Sequence, residues 1–343
     1  MRSILLLSSL LCLDAVHAQE EFSPLTSPEH PALLSQEFVY TEAPFEQCHA
    51  STIAQTKGGL IAAWFGGTRE KNPDVEIWVS RHDGKTWSPA KSVANGIQND
   101  NLRYPCWNPI LFAMPAGEVL LFYKVGPSPS EWWGELIVSK DNGQTWSDPR
   151  KLPDGILGPV KNKPYLLEDG SLLCPTSTEH DGWRVHMEQT SDLGLTWQRT
   201  PPLNDGQEIG AIQPSILNWN GRLQILCRSK QGKLAQAWSD DMGKTWSEMT
   251  LTDLPNPNSG TDAVTLRDGR SVLIYNNTPR GRSPLNIAVS KDGQNWEMVL
   301  TLEDQPGEYS YPAVIQTSDG KLHVTYTWQR RRVKHVVVDP EKL

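Results

Sequence analysis

The sequence predicts an all-β fold: a six-bladed β-propeller of four-stranded antiparallel blades. Three observations carry that prediction. A turn-and-tryptophan motif recurs as SRHDGKTW ending at Trp87, SKDNGQTW at Trp146, TSDLGLTW at Trp197, SDDMGKTW at Trp246 and SKDGQNW at Trp296. The steps between these tryptophans are 59, 51, 49 and 50 residues, a period that belongs to propeller blades and other stacked repeats. Between the motifs lie apolar runs of strand length bounded by DG, NG and QG turns, and no run carries a helix-period stripe of useful length.

Each motif copy has one physical form. An apolar run (IWV, LIV, VHM, AQAW or NIAV) enters a polar Asp/Gly turn and ends on Trp. The glycine permits otherwise strained dihedrals, the Asp bonds to its own backbone, and the Trp folds back as an apolar plug.

Residues 1–18, MRSILLLSSLLCLDAVHA, have a basic start, an apolar centre and a small residue at Ala18. They read as a secretory signal peptide too short to span a bilayer, which places the mature chain in a secreted or periplasmic setting. A net charge of -8 argues against a nucleic-acid or anionic-membrane partner. Fourteen Trp with 26 Gly and 26 Pro suit a turn-rich β fold with aromatic plugs. The expected form is a monomer without membrane insertion. Cys48, Cys106, Cys174 and Cys227 lack CxxC spacing and sit in or beside apolar strands, so buried free thiols are the preferred reading, with a Cys48–Cys106 bridge as the alternative.

In chain order, a lead-in carries the alternating stretch Glu37-Phe-Val-Tyr40, which is expected to pair with the last blade and remove an exposed sheet edge. Blade 1 begins at His49 and reads HASTIAQ, LIAAWFGG and VEIWVS; its fourth strand is expected near Lys91-Ser-Val93. Blade 2 reads YPCWNPILF, VLLFYKV and ELIVS, and blade 3 KNKPYLLE, SLLCPTS and WRVHMEQ. Blade 4 reads IQPSILNW, RLQILCRS and KLAQAWS, and blade 5 TDAVTLR, RSVLIYNN and PLNIAVS. Blade 6 reads YPAVIQTS, KLHVTYTW and VKHVVVDP. Six units of this size occupy residues 19–343 as a single domain.

In a propeller, the inner-strand starts and the loops between second and third strands converge on one mouth. Here those loops are polar and aromatic: Arg69, Glu70 and Asp74; Trp132 and Trp133; Glu179, His180 and Trp183; Arg280 and Arg282. Lys124, Lys161 and Lys163 add cations, Trp107 adds another aromatic ring, and His49, His180 and His186 offer proton-transfer groups. No carboxylate-rich ligand cluster accompanies those histidines, so no metal or other cofactor is expected.

The motif resembles the Asp box of the sialidase superfamily, SxDxGxTW, which the copies ending at Trp146 and Trp246 match letter for letter. In that superfamily the boxes are structural and lie on the rim away from substrate. The resemblance implies an exo-acting glycoside hydrolase, with exo-α-sialidase as the family default, and a Tyr nucleophile eight residues before the last blade's DG turn. Tyr311 stands there in YSYPAVIQTSDG, with Tyr309 as its neighbour and competitor. Two of the family's three carboxylate-gripping arginines correspond to Arg228 in CRSKQGKLAQAW and Arg282 in RSPLNIAVSKDG. An Arg fork suits a carboxylate because it donates two parallel hydrogen bonds. The acid/base position matches Asp74 in GGTREKNPDVEIW, with Glu70 in the same loop, where two close carboxyls would raise one pKa.

Two departures stand out. His49-Ala-Ser51 occupies the place of the family's Arg-Ile-Pro, and Gln213-Pro-Ser-Ile216 that of Glu-Pro-Ser-Ile. A Gln bonds to a phenol but is no carboxylate base. Alternatives therefore remain: a hydrolase or lyase for a uronate-containing polysaccharide, in which His49 or His180 acts with a Tyr, or a non-catalytic carbohydrate-binding propeller.

Overall fold

In the computed structural model, which describes residues 30–343, the apolar runs pair in chain order into six four-stranded antiparallel sheets. The expected leader, residues 1–18, lies outside the described residues. Blade 1 is Gln47–Thr56, Gly59–Gly67, Glu76–His82 and Lys91–Ala94. Blade 2 is Cys106–Ala113, Val119–Val125, Trp133–Ser139 and Arg150–Lys151. Blade 3 has a shorter inner strand than expected, Tyr165–Leu166, followed by Leu172–Thr178, Arg184–Thr190 and Gln198–Arg199. Its KNKP stretch stays irregular because Pro164 cannot donate to a ladder. Blade 4 is Ala211–Trp219, Arg222–Ser229, Lys233–Ser239 and Thr250–Pro255, and blade 5 is Asp262–Thr265, Ser271–Tyr275, Leu285–Ser290 and Trp296–Glu303.

Blade 6 closes the ring. Tyr309–Gln316, Leu322–Trp328 and Arg332–Val338 are completed by the N-terminal strand Leu33–Phe38, with Glu37 opposite His335 and Phe38 opposite Lys334. The ladder extends through the Val39 amide, which donates to the Val333 carbonyl at 2.9 Å. One small hairpin, Ile97–Asn99 with Leu102–Arg103, was not foreseen and bridges blades 1 and 2.

The core lies between blades, because each sheet is apolar on both faces. Ile61, Ala63 and Phe65 of blade 1 pack with Leu111, Leu121 and Ile137 of blade 2. The four cysteines outside the leader are buried free thiols; Cys48 and Cys106 are not bridged. Burial pushes the Cys48 thiol up to about 12.

The boxes hold these blades together from the rim. In the copy ending at Trp146, Asp141 accepts from the Thr145 hydroxyl at 2.5 Å and its amide at 2.9 Å, which holds its carboxyl far below the usual range. Asn142 and Gly143 adopt φ of 59° and 78°. A Cβ on Gly143 would stand 2.5 Å from Ile61 Cδ1 of blade 1, and one on Gly243 the same distance from Leu173 Cδ2 of blade 3. The box glycine is thus also an inter-blade contact. Gly84 in the first box has a similar φ of 95°, yet a Cβ there meets nothing within 4 Å.

Gly143→Ala and Gly84→Ala therefore share the backbone penalty and differ in overpacking, which costs about 1–3 kcal/mol. Urea unfolding should show Gly143→Ala destabilised by about that much more; equal losses would mean that blade contact at the box is unimportant.

Candidate active site

The mouth is built by one backbone device used four times. The inner strands of blades 1, 2, 4 and 6 break register at the same height, between His49 and Thr52, Trp107 and Ile110, Ile212 and Ser215, and Ser310 and Ala313. The residue in each break is left-handed: Ala50 (φ 55°), Asn108 (32°), Gln213 (58°) and Tyr311 (53°). In three of the four a Pro follows, which has no N–H to lose where the ladder is interrupted. Such a bulge re-aims a side chain, and for a bulky Tyr the conformation is a true outlier.

The result is that Tyr311, from blade 6, meets residues of four other blades. Its hydroxyl oxygen accepts from Arg228 Nη1 of blade 4 at 2.6 Å and is approached by Gln213 Nε2 at 3.4 Å. Gln213 Oε1 itself accepts from Arg228 Nη1 at 3.2 Å. The His49 ring lies 4.1 Å from the phenol ring, centroid to centroid. Lys161, entering from blade 3, has its ammonium 6.0 Å from that ring and donates to the Thr261 carbonyl at 2.7 Å and to the Pro312 carbonyl. Gly260 leaves room for this gathering: a Cβ there would stand 3.3–3.4 Å from Tyr311, Gln213 and Lys161.

Around the phenol stands a cationic ring. Arg228 Nε is held by Asn258 Oδ1 at 2.9 Å, and its guanidinium lies 5.0 Å from the Trp183 ring. Arg282 lies 5.7 Å from the Tyr311 ring and donates to Glu308 Oε1 at 2.6 Å. Arg330 was missed in the sequence. Its Nε donates to the same Glu308 oxygen at 2.8 Å, and its Nη1 to Glu70 Oε2. Its carbonyl accepts from the Cys48 amide at 2.8 Å, so blade 6 delivers a guanidinium beside the position where His49 replaced an expected arginine. The turn that carries it places Gln329 and Arg330 at φ of 51° and 59°, a hairpin geometry usually given to Asn-Gly. The signal available was the Arg330–Arg332 run at a second-to-third-strand loop, the position of every other mouth loop.

These charges set the protonation states. Burial, then Arg330, Arg282, Arg228 and Lys161, keep His49 well below its ordinary 6.5, so its imidazole is neutral; Nδ1 lies 3.1 Å from the Thr327 hydroxyl. Burial raises the Glu308 carboxyl, but Arg282 and Arg330 outweigh it and hold it low. Burial lowers Lys161 from 10.5 to about 7.

The model of the BNR repeat-like domain matches residues 58–324. The chain belongs to this family. A sialidase of Paraclostridium sordellii is 26% identical over 187 residues, 48% of this chain and 45% of its own, so the chain spans about half the length of that relative. A protein of unknown function from Dyadobacter fermentans superposes with a TM-score of 0.75 at 16% identity, covering 90% of this chain and 98% of that one. The Hadza microbial sialidase Hz136 gives 0.74 at 18% identity, covering 87% and 66%. These superpositions show a shared propeller fold.

Within this BNR-repeat propeller, the remaining candidates scatter. Lys124 is buried, donates to the Pro159 carbonyl at 2.8 Å and is lowered by burial to about 7. Lys163 ties blade 3 to Asp262 of blade 5 at 2.9 Å. His186 is buried against Glu188 at 2.9 Å. Interior carbonyls and carboxylates thus hold both ammoniums and His186 Nε2, while His186 Nδ1 is buried without a hydrogen-bond partner. Arg69, Arg280 and Asp74 are exposed. Asp74 accepts from the Thr68 amide at 2.9 Å and hydroxyl at 2.6 Å; slight burial opposes its charge, but these bonds hold its carboxyl low, opposite to the expected rise. Glu70 is paired with Arg330 instead of with Asp74. Glu179 is the mouth carboxyl that burial raises, with Arg228 and the Trp183 indole partly offsetting it. Tyr309 is buried in the packing between blades 5 and 6, away from the mouth. Trp132 and His180 fall off the axis, at a cavity between blades 2 and 3. Among the described residues no His/Cys/Asp/Glu group of three or more has the arrangement to hold a metal ion, and no helix is long and apolar enough to cross a membrane.

Lys161 yields a signed prediction. Unfolded, it holds its proton to about 10.5; folded, it releases it near 7. Between those values the unfolded state binds the extra proton, so this lysine makes stability rise with pH. The unfolding free-energy difference between wild type and Lys161→Met should therefore change across pH 7–10 in chemical denaturation; a constant difference would show that Lys161 does not titrate in the fold.

Proposed function

We propose that this BNR-repeat propeller is an exo-acting glycoside hydrolase of the sialidase type, releasing a terminal acidic sugar outside the cytosol. One observation carries the reading: a strained tyrosine at the propeller axis, with its oxygen bonded to Arg228 and its ring flanked by Arg282 and Lys161. Cations suit a carboxylate-bearing sugar, and a neutral phenol approaches an anionic anomeric centre without the repulsion a carboxylate nucleophile would meet.

In this reading Arg228, Arg282 and Arg330 grip the carboxylate, the last two exchanging part of their bonding to Glu308 and Glu70. Tyr311 Oη attacks the anomeric carbon as the glycosidic bond breaks. Its proton passes to the neutral imidazole of His49, because Gln213 has no basic oxygen to receive it. Glu179 protonates the leaving oxygen in place of Asp74, since burial raises its carboxyl whereas the Thr68 bonds hold Asp74 low. Water then cleaves the tyrosyl intermediate with retention.

A second reading is favoured by a specific departure. Gln213 beside Tyr311, with a neutral His49 and several guanidiniums, also fits β-elimination of a uronate, in which the cations offset the carboxylate and a neutral base removes the adjacent proton. A panel of sialosides and uronate-capped oligosaccharides, with products read by mass and ultraviolet absorbance, separates the two. Hydrolysis adds the mass of water; elimination leaves an absorbing unsaturated uronate. An inert wild type across the panel would instead support a binding propeller.

Tyr311→Phe should lower turnover about 10²-fold or more with little loss of stability, whereas Tyr309→Phe should not. Unchanged activity in Tyr311→Phe would remove the tyrosine from the chemistry. Glu179→Gln should slow glycosides with poor leaving groups about 10²-fold while sparing activated aryl glycosides, which need no acid. If Asp74→Asn shows that selectivity and Glu179→Gln does not, the proton comes from blade 1.

A further inference from the structure

Off the axis, between blades 2 and 3, lies a cavity of about 170 Å³ whose lining includes Trp132, Trp133, Ile156, His180, Lys151 and Arg199. A second hollow of about 650 Å³ lies on the other side of Trp133 and Lys151, against Val93, Asn95, Gln98 and Glu135. Trp133 therefore lines both hollows, half-buried, with the Lys151 ammonium over its ring. It is fixed before any ligand arrives: its indole N–H donates to Glu135 Oε1 at 2.9 Å, and the Tyr104 ring meets it edge-on at 5.7 Å. A rigid aromatic plate beside polar groups is the usual means of seating a sugar ring, whose C–H face is apolar and whose rim is not.

The smaller cavity opens among the mouth loops, with Ser130, Trp132 and Trp133 from blade 2 and Thr178 and His180 from blade 3, and beneath it a run of buried rings leads to the axis. Tyr311 to His49, His49 to Phe65, Phe65 to Trp107 and Trp107 to Trp132 are successive contacts of 4.1, 5.7, 6.1 and 5.9 Å. A sugar bound at Tyr311 does not reach Trp133 itself; a later ring of the same chain does. The smaller cavity is below the roughly 300–1,000 Å³ of drug-sized pockets, so it holds one ring and not a folded chain. Charge indicates which kind of ring. On a chain of net charge -8, the smaller cavity presents Lys151, with its ammonium 5.5 Å from the Trp133 ring, and Arg199, against Asp154; Glu135, in the larger hollow, is taken up by the Trp133 indole and the Tyr123 hydroxyl. The Lys151–Asp154 pair is 3.6 Å long and largely exposed, and a pair of that kind is easily exchanged for a ligand anion.

We infer that the surface around Trp133 is a subsite for a further acidic sugar ring on the leaving-group side, so that the substrate is a polyanionic oligosaccharide and not a singly capped neutral glycan. This rests on the reading of the mouth as a glycan site, but not on turnover. Accordingly, the test is calorimetry on Tyr311→Phe protein, in which chemistry is suppressed. The probes are an α2,8-linked sialic acid trimer and a uronate–hexosamine tetrasaccharide, each against the methyl glycoside of its own terminal sugar. At least one oligomer should bind tenfold or more tighter than its methyl glycoside, and adding Trp133→Ala should erase that ratio. Because removing a packed indole risks the fold, Lys151→Glu, at an exposed side chain, provides a second variant and should lower oligomer affinity several-fold with less effect on the methyl glycoside. Equal affinity of oligomer and methyl glycoside, a ratio that survives both substitutions, or no binding of any probe overturns the subsite. Wild-type turnover judges the hydrolase separately: length-dependent binding without turnover leaves the subsite standing, and turnover without length dependence removes the subsite alone.

Discussion

The left-handed bulge near the start of the inner strands is the constraint on which the site depends. An ordinary antiparallel strand alternates its side chains between the two blade faces and has none to spare for the axis. Breaking register at Ala50, Asn108, Gln213 and Tyr311 turns one residue per strand out of that alternation. Each such conformation costs on the order of 1 kcal/mol or more and persists only where the surroundings over-determine it. Here the over-determination is visible. Blades that share buried clusters and Asp-box contacts on the rim cannot relax one bulge without disturbing the next, so strain at the mouth is supported by packing at a distance.

A consequence is electrostatic. Bringing Arg228, Arg282, Arg330 and Lys161 around a buried phenol removes water from four cations, and an unpaired buried charge is costly. The fold divides that burden unequally. Arg282 and Arg330 share Glu308, and Arg330 also takes Glu70, whereas Lys161 has only carbonyls within hydrogen-bond reach and gives up much of its proton affinity. Arg228 is the intermediate case: its hydrogen bonds go to the side chains of Asn258, Gln213 and Tyr311. Of the three guanidiniums, the one hydrogen-bonded to side chains other than carboxylates is therefore the one bonded to Tyr311 Oη.

How much of this was legible follows from range. The box turns are local: Ser139, Asp141, Gly143 and Thr145 satisfy one another within seven residues, so their pattern survives in the sequence and fixes the period. Blade order and ring closure follow from that period. Tyr311, Gln213 and Arg228 were legible because each sits in a short motif. Arg330 was not, since its role arises only when the ring closes and brings its carbonyl to the Cys48 amide. Lys124 and Lys163 were misread for the converse reason: nothing adjacent to a lysine indicates that its ammonium will find the Pro159 carbonyl or Asp262 inside the protein. The carboxyl that rises is Glu179, and Asp74 is held low, because proton affinity follows burial and partners, and both are decided by the fold.

The replacement at Gln213 has a further consequence for how the site would operate. With a glutamate beside the phenol, the free site would hold its own counter-charge and base. With glutamine the phenol has neither beside it, and in the proposed reaction the proton would go to His49, whose protonation is opposed by burial and by the surrounding cations. A bound carboxylate changes that balance, because the anion sits among the same guanidiniums and offsets the field that keeps the imidazole neutral. In the proposed reaction an acidic substrate would act twice, as the group gripped and as the counter-charge that allows His49 to take the proton. A neutral sugar of the same shape would meet a site able to stack and bond to it but with no cause to ionise Tyr311. Discrimination on this account resides in the chemical step as well as in binding, a division that follows from one amide standing where a carboxylate was expected.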